Sequence, residues 1–304
     1  MNSKSDLRVC VIGLGSMGFG VAATLLRDGF DVTGFDVSAD AMARFSALGG
    51  KTADSPGAAA KDADVAICLV VNAAQTETVL YGAEGAAAAL ASGGTILSCA
   101  TMSPGAARDF AIRAEALGLN YVDAPVSGGA TRAASGELTI MASGAPAGIA
   151  HARPVLDCIA SKVYELGEKP GTGAAFKIVN QLLAGVHIAA ACEAITFAKA
   201  MDLDIARVYE VITASAGNSW MFENRVPHIL DGDYAPRSAV DIFTKDLGIV
   251  ADIGREMKFP TPIASMALQM FVMTAAAGMG RDDDASVARM IAGIAGLQLP
   301  GMED

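Results

Sequence analysis

The six residues Gly13-Leu14-Gly15-Ser16-Met17-Gly18 stand directly after the apolar run 9–12 and at the head of a stretch with helical spacing. No other feature of the chain leaves so few structural options. Glycine at the first position permits a tight turn out of a strand, at the second it lets backbone approach a pyrophosphate, and at the third it lets the helix close on the strand. The helix N-terminus then faces the anion. A second apolar run, 30–35, is followed by Asp36, the acidic position that accepts hydrogen bonds from an adenosine ribose. Val37 and Ser38 come next, with no arginine, so a ribose 2′-phosphate would meet a carboxylate and no cation; NAD is expected over NADP. Val70, Val71 and Asn72 end the next strand-like run and Thr101 follows the one after. Both places lie at the carboxyl edge where such sheets bind ligands, which makes these four residues candidates for the nicotinamide side. Ser103, just before Pro104, is the better helix cap, which leaves Thr101 for the cofactor.

The runs 9–12, 30–35, 65–71, 95–98 and 119–122 alternate with helical stretches, a pattern that predicts a parallel sheet with crossover helices. After Gly167 the texture changes. Long Ala/Ile/Leu/Met-rich segments over 174–201, 240–257 and 264–277 carry helical spacing, and no strand-like alternation returns. The breakers in 167–173 place a seam between the two textures. The expected fold is an α/β Rossmann-type N-terminal domain with a doubly wound, mostly parallel sheet, followed by an all-α C-terminal domain. Residues 1–168 form the dinucleotide-binding part, and residues 169–304 a helical substrate and oligomerisation part that begins with a long interdomain helix.

Composition narrows the partners. A net charge of −11 opposes binding to nucleic-acid phosphates, and no basic run offsets it locally. Apolar residues make up 52% of the chain and several later helices read as apolar on more than one face, so a homodimer or homotetramer is expected. The apolar run before the glycines is too short for a signal-peptide core and no later stretch is expected to span a membrane, which makes the cytoplasm the expected compartment. The five cysteines show no CxxC pair, and Cys10 and Cys68 fall in strand-like runs, so core thiols are expected. His151, His187 and His228 have no metal-ligand spacing, Asp282-Asp283-Asp284 reads as a helix start, and no metal site is expected.

Four segments together resemble the β-hydroxyacid dehydrogenase family: 13–18, Asp123-Ala-Pro-Val-Ser-Gly-Gly129, Gly171-Thr-Gly-Ala-Ala-Phe-Lys-Ile-Val-Asn180, and Lys245-Asp-Leu-Gly-Ile-Val-Ala-Asp252. The resemblance runs along nearly the whole chain. It implies an NAD-dependent dehydrogenase acting on a small hydroxy acid, with Lys177 as the acid/base that takes the hydroxyl proton as hydride leaves the carbinol carbon. A lysine in this role must be neutral for part of the cycle. Ser127, Gly128 and Gly129 offer a hydroxyl and unobstructed N–H groups to a carboxylate, as they do in the family. Helical spacing puts Asn180 and Gln181 on the face of Lys177. At Gln181 the family usually carries asparagine, so a longer amide is expected to reach into a differently arranged pocket. Lys245 resembles the family lysine that closes over the cofactor, with Asp246 either fixing it or capping its helix. Trp220 and Phe243 are candidate walls of the substrate pocket, although large aromatics between helices are as often plain packing.

A phosphorylated sugar acid would need a cluster of Arg and Lys, which the chain lacks. The segment 177–187 with Asn218-Ser-Trp220 is most similar to the branch of the family that oxidises the 2-hydroxyl of L-threonate, a four-carbon sugar acid. The alternatives within the family are 3-hydroxyisobutyrate dehydrogenase and tartronate semialdehyde reductase. A non-catalytic NAD-binding interaction module, a reading that gains force where the lysine is lost, is the alternative from another class, and an imine reductase stands between; imine reductases often replace the lysine present here.

Overall fold

The computed structural model describes residues 7–302 and divides into two compact units, Met1–Lys177 and Ile178–Asp304. The first is built on β1 (Arg8–Ile12), α1 (Ser16–Arg27), β2 (Asp31–Phe35), α2 (Ala39–Ala47), β3 (Lys51–Thr52), α3 (Pro56–Ala59), β4 (Val65–Cys68), α4 (Ala73–Tyr81), β5 (Thr95–Ser98), α5 (Pro104–Ala116) and β6 (Asn120–Asp123). These six strands are all parallel in the order β3-β2-β1-β4-β5-β6, so the chain winds outward one way and returns to wind the other. The switch between β1 and β4 opens a crevice at their carboxyl ends.

Strands such as Val-Ala-Ile-Cys in β4 lack polar alternation because both faces of a parallel sheet are covered. Their period of two instead sorts side chains between two cores. Val9, Val11, Val65, Ile67 and Leu97 face one layer with Val21 and Leu25 of α1. Cys10, Ile12, Ala66, Cys68 and Ile96 face the other with Leu80 and Phe110. Truncating a fully buried member such as Ile67 to alanine costs about 2–5 kcal/mol.

Beyond β6 the sheet continues through β7 (Val126–Ser127), α6 (Gly129–Ser135), β8 (Leu138–Gly144), α7 (Pro146–Ile159) and β9 (Ala160–Glu165). β8 runs antiparallel to β6 and β7, and β9 joins it in parallel. Periodicity did not predict these strands. β7 is two residues long, and β9 is an edge strand, polar and largely exposed, with none of the apolar signal of the centre. β8 is the longest of these, a seven-residue strand.

The second unit is helical. α8 (Thr172–Ala200) runs into it from the first, and α9 (Ile205–Thr213), α10 (Trp220–Asp231), α11 (Val240–Met257), α12 (Pro262–Thr274) and α13 (Val287–Ala295) follow. Ile188, Cys192, Ile195, Val226, Leu247 and Phe271 belong to a single core. α8 and the continuous stretch 262–279 are long and apolar enough to cross a membrane by length and composition, which corrects the expectation that no segment is. Half of the apolar window of α8 is buried inside the protein, as in a core helix, whereas the window of 262–279 is 22% buried. Its apolar surface is outward-facing.

The triplet expected to start a helix does so through Asp283, which caps a single 3₁₀ turn at 284–286. Asp283 also pairs with His228 at 2.8 Å and Asp284 with Arg225 at 2.5 Å. These buried pairs tie α10 to the segment before α13.

Candidate active site

The glycine turn has the shape its spacing requires. Gly13 adopts φ +95°, and a Cβ there would lie 2.6 Å from the Leu69 carbonyl oxygen. A Cβ on Gly18 would fall 1.8 Å from the Gly13 carbonyl oxygen, so only glycine lets α1 start this close to β1. Gly15, flanked by Leu14 and Ser16, has nothing within 4 Å of where its Cβ would be, and as the cap of α1 it supplies no side-chain hydrogen bond. Gly15 therefore starts α1 without a side-chain cap, an arrangement suited to receive a pyrophosphate. Met17 packs at the edge of the core below.

Asp36 is held from two sides. Its Oδ2 accepts from the Leu14 N–H at 2.6 Å and its Oδ1 from the Ser38 N–H at 2.8 Å. The carboxylate therefore fastens the glycine turn to the end of β2 while keeping lone pairs for a ribose. Val70 is partly buried and Val71 is 43% exposed, both just beyond β4. Asn72 caps α4, its Oδ1 accepting from the Gln75 N–H at 2.8 Å. Thr101 lies between β5 and α5, and Ser103 takes the cap of α5, accepting from the Ala106 N–H. Ser127 is in β7, and Gly128 and Gly129 follow with φ +137° and +72°. Gly129 faces open space where a side chain would stand.

The chain then reaches α8 through a polar anchor that sequence reasoning gave no role. Asp123, at the end of β6, is 1% exposed, and its Oδ2 accepts from the Gly171 N–H at 3.0 Å and the Ala174 N–H at 2.7 Å. Ser143 of β8 donates to the same oxygen at 3.3 Å and accepts from the Gly173 N–H at 2.9 Å. Burial pushes the Asp123 carboxyl up to about 6, against the opposing pull of these donors. Gly173 is tight here: a Cβ would meet the Met141 carbonyl oxygen at 2.2 Å. Lys177 follows one turn later and is 8% exposed.

In the helical unit, a second buried carboxylate organises the side chains. Asn180 donates from Nδ2 to the Gln181 Oε1 at 2.9 Å, and Gln181 donates from Nε2 to the Asp246 Oδ2 at 2.5 Å. Lys245 places Nζ 2.5 Å from the Asp246 Oδ1. Gln181, 7% exposed, therefore has both ends of its amide engaged by the protein, which corrects the expectation that it extends into a pocket. Its extra methylene carries the amide across to α11. Asp246 does not cap that helix, whose cap is Ala239; it holds Lys245.

Phe243 is 3% exposed and stacks on Phe271 at 5.3 Å between ring centres, a core position. Trp220 opens α10 and is 48% exposed. The cysteines are free thiols, four of them buried, and burial pushes Cys10 and Cys68 up to about 12, out of reach of nucleophilic chemistry.

Two family models match consecutive parts of the chain: the NAD-binding domain of 6-phosphogluconate dehydrogenase over residues 8–167, and the NAD-binding region of NADP-dependent 3-hydroxyisobutyrate dehydrogenase over residues 171–291. L-threonate dehydrogenase of Cupriavidus necator is 54% identical over 96% of this chain and 97% of its own. The L-threonate dehydrogenase of Pectobacterium atrosepticum is 46% identical over 97% of both. A crystal structure of 3-hydroxyisobutyrate dehydrogenase from Salmonella typhimurium superposes with a TM-score of 0.90 at 48% identity, covering 94% of this chain and 100% of that one. The nucleotide turn, the full-length likeness and the shared fold agree: the chain belongs to the β-hydroxyacid dehydrogenase family, NAD-binding oxidoreductases that act on the CH–OH group of small hydroxy acids.

Proposed function

We propose that the protein oxidises L-threonate at its 2-hydroxyl to the corresponding 2-oxo acid, with NAD as hydride acceptor and Lys177 as acid/base. The observation that carries the substrate is the likeness to L-threonate dehydrogenases, 44–54% identical over 96–99% of the chain. NAD is favoured over NADP because Asp36 is fixed at the ribose end by the turn itself and Val37 and Ser38 bring no cation.

Bound at the glycine turn, NAD supplies the acceptor for the hydride leaving C2. Lys177, in its amine form, takes the C2 hydroxyl proton as the carbonyl forms and passes it to water, so one NADH and one proton appear per oxo acid. Ser127 and the N–H groups of Gly128 and Gly129 hold the substrate carboxylate, Gly129 offering the unobstructed backbone. Asn180 binds substrate, and Trp220 bounds the chain of hydroxyls. Gln181 acts by orienting Asn180 and Asp246, and Lys245 is held by Asp246; cofactor contact is the role assigned to Lys245 and, in the sheet unit, to Val70, Val71, Asn72 and Thr101. In this reading residues 1–168 serve the cofactor and residues 169–304 serve the substrate and subunit assembly.

The second reading is oxidation of 3-hydroxyisobutyrate, favoured by the name of the Salmonella relative. Initial rates of NAD reduction with L-threonate, D-threonate, D-erythronate, 3-hydroxyisobutyrate and D-glycerate separate the two. L-Threonate is expected to give the highest kcat/KM; a preference for 3-hydroxyisobutyrate discards the substrate while keeping the reaction class.

A homodimer or homotetramer in the cytoplasm completes the proposal. Ile263, Met266 and Met273 stand 69%, 68% and 44% exposed on α12, apolar surface of the kind that a second subunit covers. Light scattering on the purified protein reads the subunit number directly.

A further inference from the structure

We infer that Asp123 is a positioning residue for the proton-transfer step: its carboxylate, with Ser143, fixes the first turn of α8 and thereby sets where Lys177 stands. The inference rests on the assignment of Lys177 as acid/base.

Three features of the molecule lead to it. Asp123 reaches α8 from the end of β6 and Ser143 reaches it from β8, so two strands of one sheet engage the same helical turn. Together they satisfy the N–H groups of Gly171, Gly173 and Ala174, the orphan donors that every helix start leaves. The approach is close, since any side chain at Gly171 or Gly173 would strike backbone: a Cβ would lie 2.6 Å from the Pro104 carbonyl oxygen in the first case and 2.2 Å from that of Met141 in the second. A helix seated this tightly has little freedom to slide or roll at its start.

Lys177 lies three residues after Ala174 and four after Gly173, so its side chain issues from the same face, one turn further. Proton transfer requires an amine nitrogen within hydrogen-bond reach of the hydroxyl, and displacements near 1 Å cost on the order of a hundredfold in rate. Asp123 is the group best placed to prevent such a displacement. It is fully buried and makes its contacts through a carboxylate oxygen rather than by packing. An apolar residue could fill the space but could not hold three donors.

The test compares Asp123→Asn, Asp123→Ala and Ser143→Ala with Lys177→Ala in the full chain, reading kcat, KM for L-threonate, the dissociation constant for NADH by fluorescence, and the solvent deuterium isotope effect on kcat. Asp123→Ala is expected to lower kcat at least tenfold with NADH affinity within about twofold of wild type. Its solvent isotope effect should rise, because a misplaced amine makes proton transfer limiting. Asp123→Asn keeps an oxygen acceptor and should recover most of the lost kcat, and Ser143→Ala should show a smaller loss in the same direction. Should Asp123→Ala fail to fold, Ser143→Ala and Asp123→Asn still decide: unchanged kcat and isotope effect in Ser143→Ala would overturn the inference. So would a loss in any variant shared equally by kcat and NADH affinity, which marks a general structural defect. Full turnover by Lys177→Ala would instead remove the assignment beneath it.

Discussion

Two buried carboxylates, Asp123 in the sheet unit and Asp246 in the helical unit, hold their surroundings in opposite ways. Asp123 is gripped by backbone N–H groups and one hydroxyl, so it fixes where a helix begins. Asp246 sits in mid-helix and takes its partners from the side chains of Gln181 and Lys245, so it fixes where functional groups point. Losing the first should act on proton transfer through the position of a whole turn, and losing the second should act on substrate and cofactor contacts directly.

The sharpest break in that comparison is expected at Asp246. Asp246→Ala leaves the Gln181 amide and the Lys245 ammonium without their carboxylate, and a drop of about 10- to 100-fold in kcat/KM should follow from the roughly 1–3 kcal/mol attached to such a contact. Gln181→Ala should lose less. The double variant should lose little more than Asp246→Ala alone, since the two act through one network; additive losses in steady-state kinetics would show that they work separately.

A comparable effect, on stability, is expected from Asp123 as the pH changes. The Asp123 carboxyl rises from an ordinary 3.8 to about 6 on folding, so the folded chain holds that proton more tightly than the unfolded one. Its contribution is therefore complete below pH 4 and is lost as the pH climbs through 6, an amount on the order of 3 kcal/mol. Urea unfolding of wild type and Asp123→Asn between pH 4 and 7 should show the variant gaining relative stability over this window; parallel curves would contradict the assigned burial cost.

The smallest effect is expected at Asp36, whose carboxylate joins turn and ribose. Asp36→Ser should weaken NAD about tenfold, or about 1.4 kcal/mol, and narrow its advantage over NADP. Titration of both cofactors by fluorescence checks it, and an unaltered ratio would show that discrimination lies elsewhere.

The two units also differ in how far their sequence could be read. β1, β2, β4, β5 and β6 are legible as apolar runs because a doubly covered sheet needs them, and the glycine turn is legible because each glycine answers a steric demand. β9 hides behind an edge strand's polar surface, and β7 is too short for periodicity. Lys177, Asn180 and Gln181 were visible as a helical spacing, but the engagement of Gln181 with Asp246 was not, because it joins residues 65 positions apart. The same limit concealed Asp123 and Ser143. A local pattern gives the faces of a helix, and only the fold tells which distant carboxylate will hold it.

Proton transfer in the proposed reaction depends on Lys177. NADH formation from L-threonate by wild type and Lys177→Ala, at saturating NAD and with NAD binding verified in both, tests it most directly. The expected result is a kcat lowered by about 10²–10⁴ in the variant with cofactor affinity retained; turnover near wild type in a variant that still binds NAD would contradict the mechanism.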